Sequence, residues 1–157
     1  MIDAGQTDDG GRRPGGSPQL EPIDIVERFF AIEAARVTPR TVRTYSQVVA
    51  RLDDYLHTVD ATPWIGPHYA ALLQAERQFA PKGAVLRLFG LEGLVFCLPG
   101  FLEPEWLSPV PSERRAQIAL TGRLLDHLRR RDLIDFREIA CAFYEARQAV
   151  HDARDAA

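Results

Sequence analysis

Hydrophobic positions recur at three- and four-residue spacing through much of this chain, and the cleanest run is Thr38–Val59. Val42, Tyr45, Val49, Leu52, Leu56 and Val59 form one stripe of an α-helix, because side chains three and four apart share a face. Thr38 is placed to cap the first turn. Pro39 then falls at the first helical position, where its missing N–H costs nothing, and Val37 can staple onto Val42. The helix is expected to end near His57–Asp60, ahead of Thr62-Pro63. Arg40, Arg43, Gln47 and Arg51 fall together on another side of it.

The same periodicity predicts further helices. Ile25, Val26, Phe29, Phe30 and Ile32 give Asp24–Ala35 an apolar side. Thr62-Pro63 starts a short turn of helix that Gly66-Pro67 interrupts, and Tyr69, Leu72, Leu73 and Phe79 form a face closed by Ala80-Pro81. Val85–Leu98 is ambiguous, since Leu94–Leu98 has the composition of a buried strand. Helix is preferred because no second strand exists to pair with it, and Gly90 and Gly93 mark a place where two helices could pack closely. Pro99-Gly100 is read as its end, and Phe101–Pro111 as a packed connector anchored by Phe101, Leu102, Trp106 and Leu107. A long helix follows from Ser112 to about Arg130. Asp135 and Glu138 resemble a capping box for a last helix with Ile139, Phe143, Ala146 and Val150 on one face. The expectation is an all-α fold, a compact bundle of five to seven helices. It comprises a flexible tail over 1–20, a helical region over 21–98 and a C-terminal helical hairpin over 112–157 packed on it.

Composition narrows the picture. The 157 residues, 46% hydrophobic, suffice for one core, while the first twenty, rich in Gly, Asp, Pro and Ser, bring little to it. No apolar run there resembles a secretory signal. The formal net charge of -3 argues against a wholly basic nucleic-acid binder but allows a local basic face. Such a face exists. Arg36, Arg40, Arg43 and Arg51 have no acidic residue among them, until Asp53 and Asp54 bound the patch. Lys82 is the sole lysine, a bias that suits a bacterial source with a GC-rich genome, such as an actinobacterium. Cys97 and Cys141 both lie in apolar settings and read as buried free thiols, consistent with a cytoplasmic protein. The strongly apolar stretch Leu94–Leu98 is too short to span a bilayer, so no membrane partner is expected.

Candidate chemistry is sparse. His57, His68, His127 and His151 stand at no metal-ligand spacing, and neither C-x-x-C nor H-E-x-x-H occurs. His127 reads as a surface residue. Gly90-Leu91-Glu92-Gly93 lacks the Lys-Ser/Thr of a phosphate loop. Adjacent Asp53 and Asp54 point in different directions on a helix, and Glu103 and Glu105 sit on a connector. No catalytic set, metal or cofactor is expected, and the chain is read as a non-enzyme.

Thr38-Pro39-Arg40-Thr41-Val42-Arg43-Thr44-Tyr45, followed by Leu52, Tyr55 and Leu56, resembles the opening helices of the SAM-like core-binding domain of phage integrases and other tyrosine recombinases. The resemblance spans about residues 23–59. It implies a SAM-like helical region that clasps duplex DNA, with Thr41 in the first turn near phosphate and Tyr45 as a packing residue. The recombinase catalytic residues have no counterpart here, so recombination chemistry is not implied.

Two functions follow as expectations. The first is a non-catalytic, DNA-associated protein touching phosphates through Arg36, Arg40, Thr41, Arg43, Gln47 and Arg51, with the first-turn N–H groups adding a dipole-favoured contact. The same stripe would also serve as a plain solvated face. The second is an interaction or regulatory module. It would pair with itself or with a protein partner through apolar residues around Trp106 and Leu107.

Overall fold

The computed structural model describes residues 19–157, so all of the expected tail except Gln19 and Leu20 lies outside the described residues. The described chain is all-α, a compact bundle of six helices: α1 (Pro22–Ala34), α2 (Pro39–Thr58), α3 (Thr62–Phe79), α4 (Ala84–Phe101), α5 (Pro111–Arg130) and α6 (Phe136–Asp155).

The first turns form as their sequences dictate. Thr38 Oγ1 accepts from the Thr41 N–H at 3.4 Å, and Pro39 occupies the first turn of α2. That bond uses one of the N–H groups expected to be open to phosphate. At α6, Asp135 Oδ1 accepts from the Arg137 and Glu138 N–H groups at 3.1 and 3.4 Å. The reciprocal half of the expected box is supplied from elsewhere: the Asp135 N–H donates to Glu92 Oε1 of α4 at 3.0 Å.

α4 settles the ambiguous segment as helix, but with a different use of its glycines. Gly90, at φ 65° and ψ -161°, breaks α4 into two pieces instead of admitting a neighbouring helix. The break turns Phe89 back toward Gly93, where a Cβ would overlap the Phe89 side chain. Nor does Pro99-Gly100 end the helix, which runs on to Phe101. The apolar stretch is therefore longer than Leu94–Leu98. By length and composition α4 could cross a membrane, with a mean hydropathy of 1.6, yet 56% of it is buried inside the bundle. In α3, Gly66 (φ 77°) breaks the helix before Pro67 as expected.

One core joins all six helices. α4 packs against α1, α2, α3 and α6, and α5 packs between α2 and α6. Leu94, Leu98, Leu120, Leu124, Leu125 and Leu128 are fully enclosed; burying each stabilises by about 1.5–3 kcal/mol relative to exposure. The buried seam of α2 is Tyr45, Val48, Leu52 and Tyr55. Val42, Val49, Leu56 and Val59, expected on the same stripe as Tyr45 and Leu52, are only half-buried. The seam is rotated because α4 and α5 cover the Val48–Tyr55 side. Val49 and Leu56 instead line an open cavity beside α1.

Candidate nucleic-acid interface

The row Arg40, Gln47, Arg51 follows from seven- and four-residue spacing, and Arg43 stands beside it. Arg40, Arg43 and Gln47 are exposed, Arg51 is half-buried, and Thr41 is half-buried with its hydroxyl 3.1 Å from that of Thr38. Among the described residues, Arg40, Arg43 and Arg51 have no salt bridge and no side-chain hydrogen bond. No other helix presents three such arginines among the described residues.

Most other arginines are engaged. Arg87 pairs with Glu76 at 2.8 Å, Arg130 with Asp126 at 3.6 Å and Arg147 with Asp126 at 2.8 Å. Arg129 lies 4.2 Å from the centre of the Phe136 ring, and Arg114 Nε donates to the Ser108 carbonyl at 2.9 Å. Of the run Arg129–Arg131, Arg129 is thus held against α6 and Arg130 against its own helix. Arg36 differs from the α2 arginines, since its Nη1 lies 3.4 Å from Glu33 Oε1.

Glu33 is the hub beneath this face. It is buried, and its second oxygen lies 3.1 Å from Arg123 Nε of α5. Arg123 Nη2 in turn donates to Tyr45 Oη at 2.8 Å. Tyr45 is a packing residue with its hydroxyl spent on α5. This Glu33–Arg123–Tyr45 chain ties α1, α2 and α5 together and orients the helix that bears the free arginines. No single-helix periodicity announces it.

Trp106 and Leu107 are half-buried against the core. The Trp106 ring meets Tyr55 edge-on at 5.0 Å, and its carbonyl accepts from Gln117 Nε2 at 3.1 Å. More apolar surface is exposed on α3, where Tyr69, Leu72 and Phe79 are exposed, Phe79 at 89%. Two further residues escaped sequence reasoning. Fully buried Gln117 accepts from the Ser108 N–H at 3.0 Å and donates to the Phe101 carbonyl at 2.9 Å. Buried Arg77 donates to the carbonyls of Leu56 and Val59 at 2.7 and 3.0 Å, closing the end of α2. The available signal was position. Gln117 precedes Leu124 by seven, and Arg77 follows Leu73 by four, so each polar residue stands on an apolar stripe.

His127 and Cys141 differ from expectation, whereas Cys97 is the buried free thiol expected. His127 is half-buried with its ring 5.3 Å from Phe29, and burial beside Arg131 holds its pKa below the usual histidine value. Cys97 is buried, which pushes its thiol up to about 12, whereas Cys141 is exposed because α6 turns it away from the Ile139–Phe143–Ala146 face. Among the described residues no group of three or more His, Cys, Asp or Glu side chains is placed to hold a metal ion.

Comparison with protein-family models, with curated proteins and with solved structures finds no match to this chain.

Proposed function

We propose that this chain is a non-catalytic, DNA-associated cytoplasmic protein of bacterial type, contacting the phosphates of duplex DNA through the exposed face of α2. The observation that carries this reading is the set Arg40, Arg43 and Arg51, which share one face without a carboxylate partner among the described residues. Unpaired guanidinium groups favour phosphate because they offer two parallel donors and are weakly hydrated. The likeness of Thr38–Leu56 to the integrase core-binding helices points the same way. Contacts of this kind position a protein on DNA without reading its sequence.

The test is fluorescence anisotropy with a labelled duplex at 50 and 200 mM salt. Binding should weaken steeply with salt. The combined Arg40→Ala, Arg43→Ala, Arg51→Ala variant should lose at least tenfold in affinity and flatten the logarithmic salt slope by about three. A variant of unchanged helicity and unchanged affinity would sink the reading.

A second reading, an interaction module that pairs with its own copy, is favoured by α3. Beyond the break at Gly66, Tyr69, Leu72 and Phe79 share one side of α3 and expose on the order of 370 Å² of side chain, taking about 200 Å² for a large residue. Two such faces supply about 700 Å² of the roughly 1,000 Å² that a specific interface buries, so a dimer on this face would be a weak one. Glu76 and Arg87 on this side neutralise each other, so a two-fold contact would bring no unpaired like charges together. Sedimentation should then show a dimer that Phe79→Asp converts to monomer, and a monomeric parent protein rejects this reading.

A further inference from the structure

A cavity of about 490 Å³ opens between α1, α2 and the turn that leads into α4. Ile23, Val26, Phe30, Leu52, Leu56 and Val85 wall it. That volume and that apolar lining are those of small-molecule sites, which add a few polar groups to orient the ligand. Here the polar groups are Glu27, Asp53, Asp54, His57 and Lys82. Lys82 Nζ lies 3.3 Å from Glu27 Oε1, so these two charges offset each other. Asp53 and Asp54 have no ion pair or side-chain hydrogen bond among the described residues, which leaves the mouth acidic. Lys82, the sole cation there, is already engaged, so an anionic head would meet repulsion.

We propose that this cavity binds an amphipathic amine, its alkyl or aryl body between α1 and α2 and its ammonium group at the carboxylate of Asp53. Asp53 is exposed at the rim, where partial burial raises its pKa above the usual carboxylate value; Lys82 opposes this while Glu27 and Asp54 add to it. The Asp53 carboxylate has no protein donor among the described residues, and an ammonium supplies one. The apolar walls take the ligand body out of water. Asp53 is two positions from Arg51, so at 100° per residue the two point to opposite sides of α2. The carboxylate of Asp53 is therefore on the far side of α2 from the arginines, although Asp54, three positions from Arg51, borders their face, and this inference does not depend on the DNA reading.

The test uses three probes of one tail length at pH 7, octylamine, octan-1-ol and octanoate, titrated into the full chain and followed by amide NMR shifts. Octylamine should bind saturably and at least tenfold tighter than octan-1-ol, with octanoate weakest, and with shifts centred on Val26, Leu52 and Val85. Asp53→Asn should reduce octylamine to the affinity of octan-1-ol, and Val49→Trp, which fills the cavity from its half-buried edge, should remove both. The triple α2 arginine variant should bind octylamine as the parent does. Equal affinity for octanoate and octylamine, unsaturable binding, or an Asp53→Asn variant that binds octylamine unchanged would each overturn the proposal.

Discussion

Tyr55 Oη donates a hydrogen bond to the carbonyl oxygen of Cys97 at 2.6 Å, joining α2 to α4 inside the core. The same hydroxyl lies against Gly100, where an added Cβ would overlap it. A glycine that looks like a helix terminator in the sequence is instead a seat for a side chain 45 positions away in the chain. Tyr55 also meets Phe101 at 5.5 Å and Trp106 at 5.0 Å, so one ring organises the junction of α2, α4 and the connector.

Gly100→Ala is expected to destabilise by about 1–3 kcal/mol through overpacking. Tyr55→Phe should cost about 1–2 kcal/mol for the lost bond and the carbonyl left without it. Because the tyrosine hydroxyl is the clashing group, the double variant should be more stable than the two single effects summed. Urea unfolding measures all three, and strict additivity would contradict the geometry.

Gln117 and Arg77 should behave as core residues despite their polarity. Gln117→Leu would leave the Ser108 N–H and the Phe101 and Trp106 carbonyls without their partner, at a cost of about 2–4 kcal/mol. Arg77→Met would uncap the Leu56 and Val59 carbonyls, at about 2 kcal/mol. A thermal midpoint equal to the parent's in either variant would contradict this.

Stability should fall as pH drops below the ordinary histidine value of 6.5. The folded state holds His127 below that value, so the unfolded chain takes up the proton first, and protonation favours unfolding. The contribution is fully present above 6.5 and is lost as pH falls through the lower, folded value. His127→Gln should flatten the stability profile just below pH 6.5, above the range where most carboxylates titrate. An unaltered profile would show that His127 is not the group responsible.

The two thiols should separate kinetically. Cys141 is exposed and should react with a thiol reagent in the native protein within the mixing time of a bench assay. Cys97, enclosed and held as the neutral thiol, should react only on unfolding. Two equally fast thiols would mean that α4 opens readily.

The helices themselves were legible because their information is local. Thr38-Pro39 and Asp135 announce first turns by chemistry confined to a few residues, and the periodicity of α2 and α6 needs no neighbour to be read. The rotation of the α2 seam toward Val48 and Tyr55 was not legible, since it depends on which helices cover which flank. Cys141 was misread for a related reason: apolar sequence neighbours on a helix do not share its face.

The arginine face was legible as a row, and its lack of partners was not. Whether an arginine is free depends on carboxylates from other helices, as the contrast between Arg123, held by Glu33 of α1, and Arg51 makes plain. The sequence by itself determined that the chain is helical and which side of α2 carries charge, because both follow from residue spacing and end-cap chemistry. Only the tertiary structure decided which polar groups are spent inside the fold, that α3 leaves Phe79 in water, and that α1 and α2 part around an acidic-mouthed cavity. These outcomes are set by distances between residues far apart in the chain, and no local pattern carries them.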